Sequence, residues 1–342
     1  MDGAMQIAIV GEAWGVEEEK TKTPFSGAAG YELTKMLDEA GLHRADIFFT
    51  NVFNLHPPGN RIEALCGGKE TAIAGYPALT KGRFVRAEFI PELERLANEL
   101  ESVNPNIIIA LGNTAMWALL GKTAISKYRG TTELSTHTAT GYKVLPTFHP
   151  SYIIRGSWDQ RPVAILDLMK AKRESEFPEI RRPKREIWIE PTLEDLETFH
   201  DRYITRDITL SVDIETTGNA ITCIGFAPSP QVSLVIPFYD TRRKTRSYWH
   251  TADSESRAWQ FVRRVLEHGS PRKLFQNGLY DIAFLWRAYG IKVMGASEDT
   301  MLLHHALQPE SLKGLGFLGS VYSDEGSWKH MREKIQTIKR DD

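Results

Sequence analysis

ITLSVDIE at residues 208–215 and NGLYDIAFL at residues 277–285 decide how the second half of the chain is read. The first is an apolar strand pattern that ends in Asp213-Ile214-Glu215. Alternation along a strand sends Asp213 and Glu215 to one face and Val212 and Ile214 to the other. Downstream, Asn277-Gly278-Leu279-Tyr280-Asp281 opens a second apolar segment. Asp281 joins the first two carboxylates only if the fold brings it there. Three carboxylates on one point repel each other unless a divalent cation sits between them. Such a cluster around Mg²⁺ or Mn²⁺ is the usual apparatus of two-metal phosphodiester hydrolysis. The plain alternative is a buried strand capped by acidic turn residues.

DIETTG followed by QNGLYDIAFL, EDTMLLHHAL and SLKGLGFLGSVY resembles the 3′–5′ proofreading exonucleases of the DnaQ-like class. The nearest likeness is to the exonuclease domain of family A DNA polymerases, over roughly residues 185–330. The resemblance implies a ribonuclease H-like mixed sheet. It implies Asp213, Glu215 and Asp281 as catalytic residues and as ligands of Mg²⁺ or Mn²⁺, with Asn277 binding substrate. Asp213 would bridge two metals, Glu215 would orient the attacking water and Asp281 would support the second metal. The family's third motif, Tyr-x-x-x-Asp, has no match. Tyr322 is followed four residues on by Gly326, and the tail after Ser327 has no Tyr. The expectation is therefore a C-terminally incomplete exonuclease domain.

Residues 1–172 alternate strand and helix patterns. Strands are expected at Ile7–Val10, Ile47–Thr50, Ile107–Leu111 and Val144–Pro146. Helices are expected at Ala29–Ala40, Phe89–Leu100, Ala115–Leu120 and Val163–Lys172. This alternation predicts a mostly parallel sheet covered by helices, with ligands beyond the carboxyl ends of the strands. Glu12, Asn51 and His149 fall at three such ends. The plain alternatives are that His149 and Glu12 are caps and that Phe25 is core.

GEAWG, TPFSGAAG, TNVFNLHPPGNR, IIIALG, YRG and HPSYIIR, with Asp167 beyond, resemble the uracil-DNA glycosylase superfamily, nearest its family 4/5-like members. The likeness implies Phe25 as the stacking aromatic and Asn51 as the amide that pairs with the uracil edge. His149 would bond the developing oxyanion, and Glu12 would orient water or steady the cation. Ser151 and Arg155 would contact backbone phosphates. Trp14 replaces the Pro of the family's GEAPG and is expected to crowd the water position. Leu55 stands where iron–sulfur members have a ligand Cys, so no iron–sulfur cluster is expected. Residues 62–86 read as a long insertion near the pocket mouth.

The chain has 342 residues, 25% charged and 42% hydrophobic, with a net charge of −2. Bulk charge gives no sign of nucleic-acid binding, so any such surface is local. Two cysteines, Cys66 and Cys223, argue against a disulfide framework and fit a reducing compartment. No apolar run is long enough for a membrane span, and the N-terminus lacks a signal-peptide pattern. The expected domains are 1–172, glycosylase-like, and 187–342, exonuclease-like, joined by a linker at 173–186. In that linker Arg181, Arg182, Lys184 and Arg185 are either a solvated face or a phosphate contact.

A glycosylase-like domain ahead of a proofreading domain is similar to the N-terminal half of certain bacteriophage family A DNA polymerases. That similarity implies single-stranded DNA or frayed 3′ ends as partner, a DNA polymerase domain or subunit as a second, and the host cytoplasm as location. The competing reading is a non-catalytic base-reading or architectural segment.

Overall fold

In the computed structural model, residues 6–323 are described, apart from 206, together with Glu325. Two compact units divide the chain. One comprises the residues up to Arg182 and the segment beginning at Gly316; the other is Pro183–Leu315.

The first unit contains β1 (Ile7–Ala13), α1 (Val16–Thr21), α2 (Ala28–Glu39), β2 (Ile47–Phe53), β3 (Cys66–Gly67) and β4 (Phe84–Val85). It continues with α3 (Ile90–Val103), β5 (Ile107–Leu111), α4 (Gly112–Leu120), α5 (Ile125–Tyr128), β6 (Glu133–Leu134), β7 (Lys143–Thr147), α6 (Pro150–Ile154) and α7 (Arg161–Glu174). The sheet order is β2-β1-β5-β7-β6, parallel except for the edge strand β6. Near-continuous apolar strands are what a sheet covered on both faces requires. Ala8, Val10, Ile108 and Ala110 pack against α3 and α4, while Ile7, Ile9, Ile107 and Ile109 pack against α2 and α7.

Both β1 and β2 run three residues past their expected ends. Their parallel ladder continues through Gly11–Asn51 to Ala13–Phe53. Glu12 and Asn51 are thus held inside strands, not in the loops after them.

The 62–86 insertion starts close to the end of β1, where the Glu63 charge acts on the Glu12 carboxyl, and then packs inward. It forms the β3–β4 ribbon, and Leu65, Cys66, Ile73, Leu79 and Val85 bury themselves in the core beside α4. Trp117 of α4 is fully buried beneath it, donating Nε1–H to Pro77 O at 2.8 Å, with the Tyr76 ring at 4.7 Å. Leu55 packs on the same core. Buried Lys143 closes the far end of the unit. Its ammonium donates to Glu174 O, Phe177 O and Glu179 O at 2.7, 2.6 and 3.0 Å, and to the Glu174 carboxylate at 3.0 Å.

The second unit contains β8 (Glu186–Trp188), α8 (Leu193–Tyr203), β9 (Thr209–Thr217), β10 (Ala220–Ser229), β11 (Val232–Pro237) and α9 (Ala252–Glu267). β12 (Arg272–Phe275), α10 (Leu279–Tyr289), β13 (Ala296–Asp299) and α11 (Thr300–Leu307) complete it. Its sheet runs β13-β12-β9-β10-β11-β8. Strand β10 is antiparallel to β9 and β11, whereas β12 is parallel to β9 and β13. This is the expected ribonuclease H-like mixed sheet. Leu196 and Phe199 of α8 and Phe261 and Val262 of α9 cover Val212 and Ile214 of β9.

Helix α12 (Leu315–Tyr322), expected within the exonuclease-like domain, packs with the first unit instead. There Arg129 and Asp167, 3% and 1% exposed, form a bidentate pair, and Thr147 Oγ1 donates to the same carboxylate at 2.6 Å. Arg129 Nη1 donates to Ser320 Oγ of α12 at 2.8 Å, and Lys170 Nζ donates to Ser323 O at 2.9 Å. The tail after Ser327, where the third exonuclease motif was sought, lies outside the described residues. No described helix is long and apolar enough to cross a membrane.

Candidate functional site

Parallel pairing sets the rim of the first unit. Gly11 lies opposite Asn51, and Leu111 opposite Thr147, so the strand ends finish level. Glu12 projects from the end of β1 and Asn51 from β2. His149 follows β7 as the N-cap of α6. Together with Phe25, Ser151 and Arg155 they line one cavity of about 280 Å³. All six residues proposed from the sequence for this unit therefore meet.

Phe25 is both core and wall. Its ring lies 6.2 Å from the His149 ring in a stacked arrangement and 5.8 Å from Phe49 edge-on. Asn51 is 3% exposed, and its backbone is fixed from behind. Arg95 Nη2 donates to Asn51 O at 2.8 Å and to Val52 O at 3.0 Å, while Glu92 and Glu99 hold the guanidinium. Gly11 supplies the floor. A Cβ there would stand 2.2 Å from Asn51 Oδ1 and 2.5 Å from Phe25 Cζ, so only glycine leaves both side chains in place.

His149 is a cap as well as a cavity residue. Its Nδ1 accepts the Ser151 N–H at 3.1 Å and pairs with Ser151 Oγ at 2.8 Å. With Nδ1 accepting, the neutral ring carries its proton on Nε2. Burial lowers its pKa to about 4, and the nearby Arg155 charge pushes the same way. The ring is therefore neutral at pH 7. The Ser151 hydroxyl is engaged with His149, and Arg155 lines the same cavity. Burial also raises the Glu12 carboxyl above its ordinary range, opposed by a 2.5 Å hydrogen bond from Thr114 Oγ1.

Trp14 is not among the lining residues, although Ala13 and Gly15 on either side of it are. Its backbone N–H donates to Leu55 O at 3.2 Å, and the Lys22 ammonium lies 4.7 Å over the indole.

In the second unit, Val212 and Ile214 are buried, while Asp213 and Glu215 share the exposed face of β9. Asp281, 5% exposed on α10, reaches the same strand: its Oδ1 accepts the Ile214 N–H at 3.1 Å. Burial raises its pKa, and the Asp299 and Glu215 charges add to this. Asn277 adopts φ 60°. Its N–H and that of Gly278 donate to the Asp299 carboxylate at 3.1 and 2.8 Å. Burial opposes the charge on Asp299, yet those N–H groups and two from α11 keep its carboxyl below the ordinary range.

The expected metal trio is not formed. Among the described residues no group of three His, Cys, Asp or Glu could hold a metal ion. Asp281 is turned to the backbone between Asp213 and Glu215, which satisfies a strand N–H instead of closing a cage. The donor set present thus does not fit a bound divalent ion by itself. Sequence reasoning missed Arg95 and Thr114, which act on backbone or from a distant helix, and the capping role of Asp299.

These features place the chain in a known class: it belongs to the uracil-DNA glycosylase superfamily, whose family profile matches residues 2–171. A type-4 uracil-DNA glycosylase of Thermotoga maritima is 36% identical over 170 residues, covering 49% of this chain and 76% of that protein. One of Saccharolobus solfataricus is 34% identical, covering 43% of this chain and 61% of that protein. A DNA polymerase of Bacillus phage SP01 is 24% identical over 327 residues; these cover 87% of this chain but span only 32% of the polymerase. Among solved structures, Trypanosoma brucei RNase D in complex with RNA U12 matches at 16% identity and a TM-score of 0.34. That match covers 44% of this chain and 51% of the RNase D chain.

Proposed function

We propose that the first unit takes up a uracil base flipped out of DNA and cleaves its glycosidic bond. The observation that carries this is the meeting of Glu12, Phe25, Asn51 and His149 on one cavity at the strand ends. The type-4 relatives support it. Phe25 offers a stacking face, and the Asn51 carboxamide both donates and accepts, as the uracil edge requires. Cleavage leaves an anionic uracil and an oxocarbenium-like sugar. A neutral His149 with Nε2–H donates to the oxygen where that charge develops. Glu12 orients water or steadies the cation.

The test is release of free uracil from single-stranded DNA by the full chain, wild type and with Asn51→Ala or His149→Ala. Release lost in His149→Ala supports a glycosylase. Selective uracil binding without release supports a base reader. Equal affinity for uracil and thymine strands, unaffected by Asn51→Ala, would sink both.

For the second unit we infer a 3′–5′ exonuclease relationship, motivated by the co-facial Asp213 and Glu215 with Asp281 bonded between them. Mg²⁺ or Mn²⁺ is the cation this reading requires. DNA is the proposed substrate, and the phage polymerase similarity motivates a polymerase domain or subunit as partner. Degradation of single strands in Mn²⁺ that survives Asp213→Ala unchanged would refute the assignment.

A further inference from the structure

Phe25 has a backbone that an aromatic residue rarely adopts, with φ at +57°. Outside glycine this left-handed region is unfavourable, so the surroundings must hold it there. Two features do so. Gly30 lies directly against the Phe25 carbonyl, where a Cβ would stand 1.8 Å from the oxygen. Arg44, in the turn before β2, grips the same backbone from the other side. Its Nη2 donates to Pro24 O at 3.2 Å and to Phe25 O at 3.1 Å, and its Nη1 donates to Thr34 Oγ1 at 3.2 Å. The guanidinium carbon also lies 4.3 Å over the Phe49 ring, and Phe49 in turn touches the edge of Phe25. One side chain thus fixes Phe25 through its carbonyl and through its aromatic neighbour.

We propose that Arg44 is the positioning residue for base stacking: it never touches the base but sets the attitude of the Phe25 ring toward the cavity. This rests on the uracil-pocket reading above. A lysine cannot replace it: its ammonium could reach the two carbonyls, but it has no planar face to lie on Phe49 while also donating to Thr34 Oγ1.

The experiment measures binding of the full chain to two single strands by fluorescence anisotropy. One carries a uracil on a 2′-fluorinated sugar, which resists cleavage; the other carries a base-less tetrahydrofuran at that position. Arg44→Met is expected to weaken the uracil strand about tenfold while leaving the base-less strand unchanged, because only a base can stack. Arg44→Lys should recover little. The Phe25→Ala, Arg44→Met double variant should be no weaker than Phe25→Ala alone. Equal losses on both strands would mean a merely structural arginine and overturn the proposal, as would an Arg44→Met chain that binds like wild type. If Arg44→Met does not fold, the Arg44→Lys comparison decides by the same criterion. Phe25→Ala separates the two levels: no effect there refutes the pocket itself, whereas an effect there with none at Arg44 refutes only the positioning role.

Discussion

Gly11→Ala is the smallest change that should close the proposed uracil pocket. The added methyl would sit 2.2 Å from Asn51 Oδ1 and 2.5 Å from Phe25 Cζ, against 3.4 Å or more for ordinary contact. Each neighbour must retreat by roughly an ångström in a close-packed wall. Asn51 cannot carry its backbone along, because Arg95 holds the Asn51 and Val52 carbonyls. Phe25 is held by Arg44 in the same way. The carboxamide and the ring therefore rotate out of register with the base. Stacking is worth about 1–3 kcal/mol per base and a hydrogen bond about 0.5–1.5 kcal/mol. Losing most of the first and part of the second predicts an affinity for the uracil strand lower by about 10- to 100-fold. Anisotropy titration with the cleavage-resistant strand measures this. The base-less strand serves as control, and a thermal melt verifies that the unit stays folded. A Gly11→Ala chain binding uracil within twofold of wild type would refute the argument that these side chains touch the base.

His149 is neutral and buried with its pKa lowered to about 4, whereas the unfolded ring titrates near the ordinary 6.5. The unfolded state then binds more protons between those values, so the stability this ring contributes is complete above about pH 6.5 and is lost as pH falls toward 4. Denaturation midpoints of wild type and His149→Gln across that window should converge on acidification. Arg129→Met strips buried Asp167 of its guanidinium partner and leaves it, among the described residues, the Thr147 hydroxyl; the expected cost is about 3–5 kcal/mol in chemical denaturation. Trp117→Ala removes the plug beneath the 62–86 ribbon and should cost about 3–5 kcal/mol, with proteolysis appearing first in that ribbon. Trypsin should otherwise cut first after the exposed Arg181, Lys184 or Arg185, beyond the Glu179 carbonyl held by Lys143, with Pro183 shielding the bond after Arg182.

Glu12, Asn51 and His149 were legible because a parallel sheet aligns its strand ends, and three polar residues following apolar runs announce one rim. Phe25 was legible only through the motif around it; nothing in its own spacing separates wall from core, and it is both. Arg44 and Arg95 were not legible, because their partners are backbone carbonyls, and any sequence offers those. The 62–86 ribbon buries isolated residues such as Leu65, Ile73 and Leu79, which carry no period, so it read only as a long insertion and its share of the core was not legible. Alternation placed Asp213 and Glu215 on one face correctly. It could not reveal that Asp281 would take the Ile214 N–H, since that bond depends on where α10 lands.

The docking of α12 has a consequence in time. Arg129 and Asp167 leave the ribosome long before Ser320, with the entire second unit made in between. At about 5–20 residues per second the interval is on the order of ten seconds. During it the glycosylase-like unit can close its sheet and its ion pair, but Arg129 Nη1 must wait on water for its last partner. A nascent chain stalled within the second unit should therefore show a first unit that is folded and more easily opened, its bonds to Ser320 and Ser323 supplied only when synthesis has passed beyond another domain.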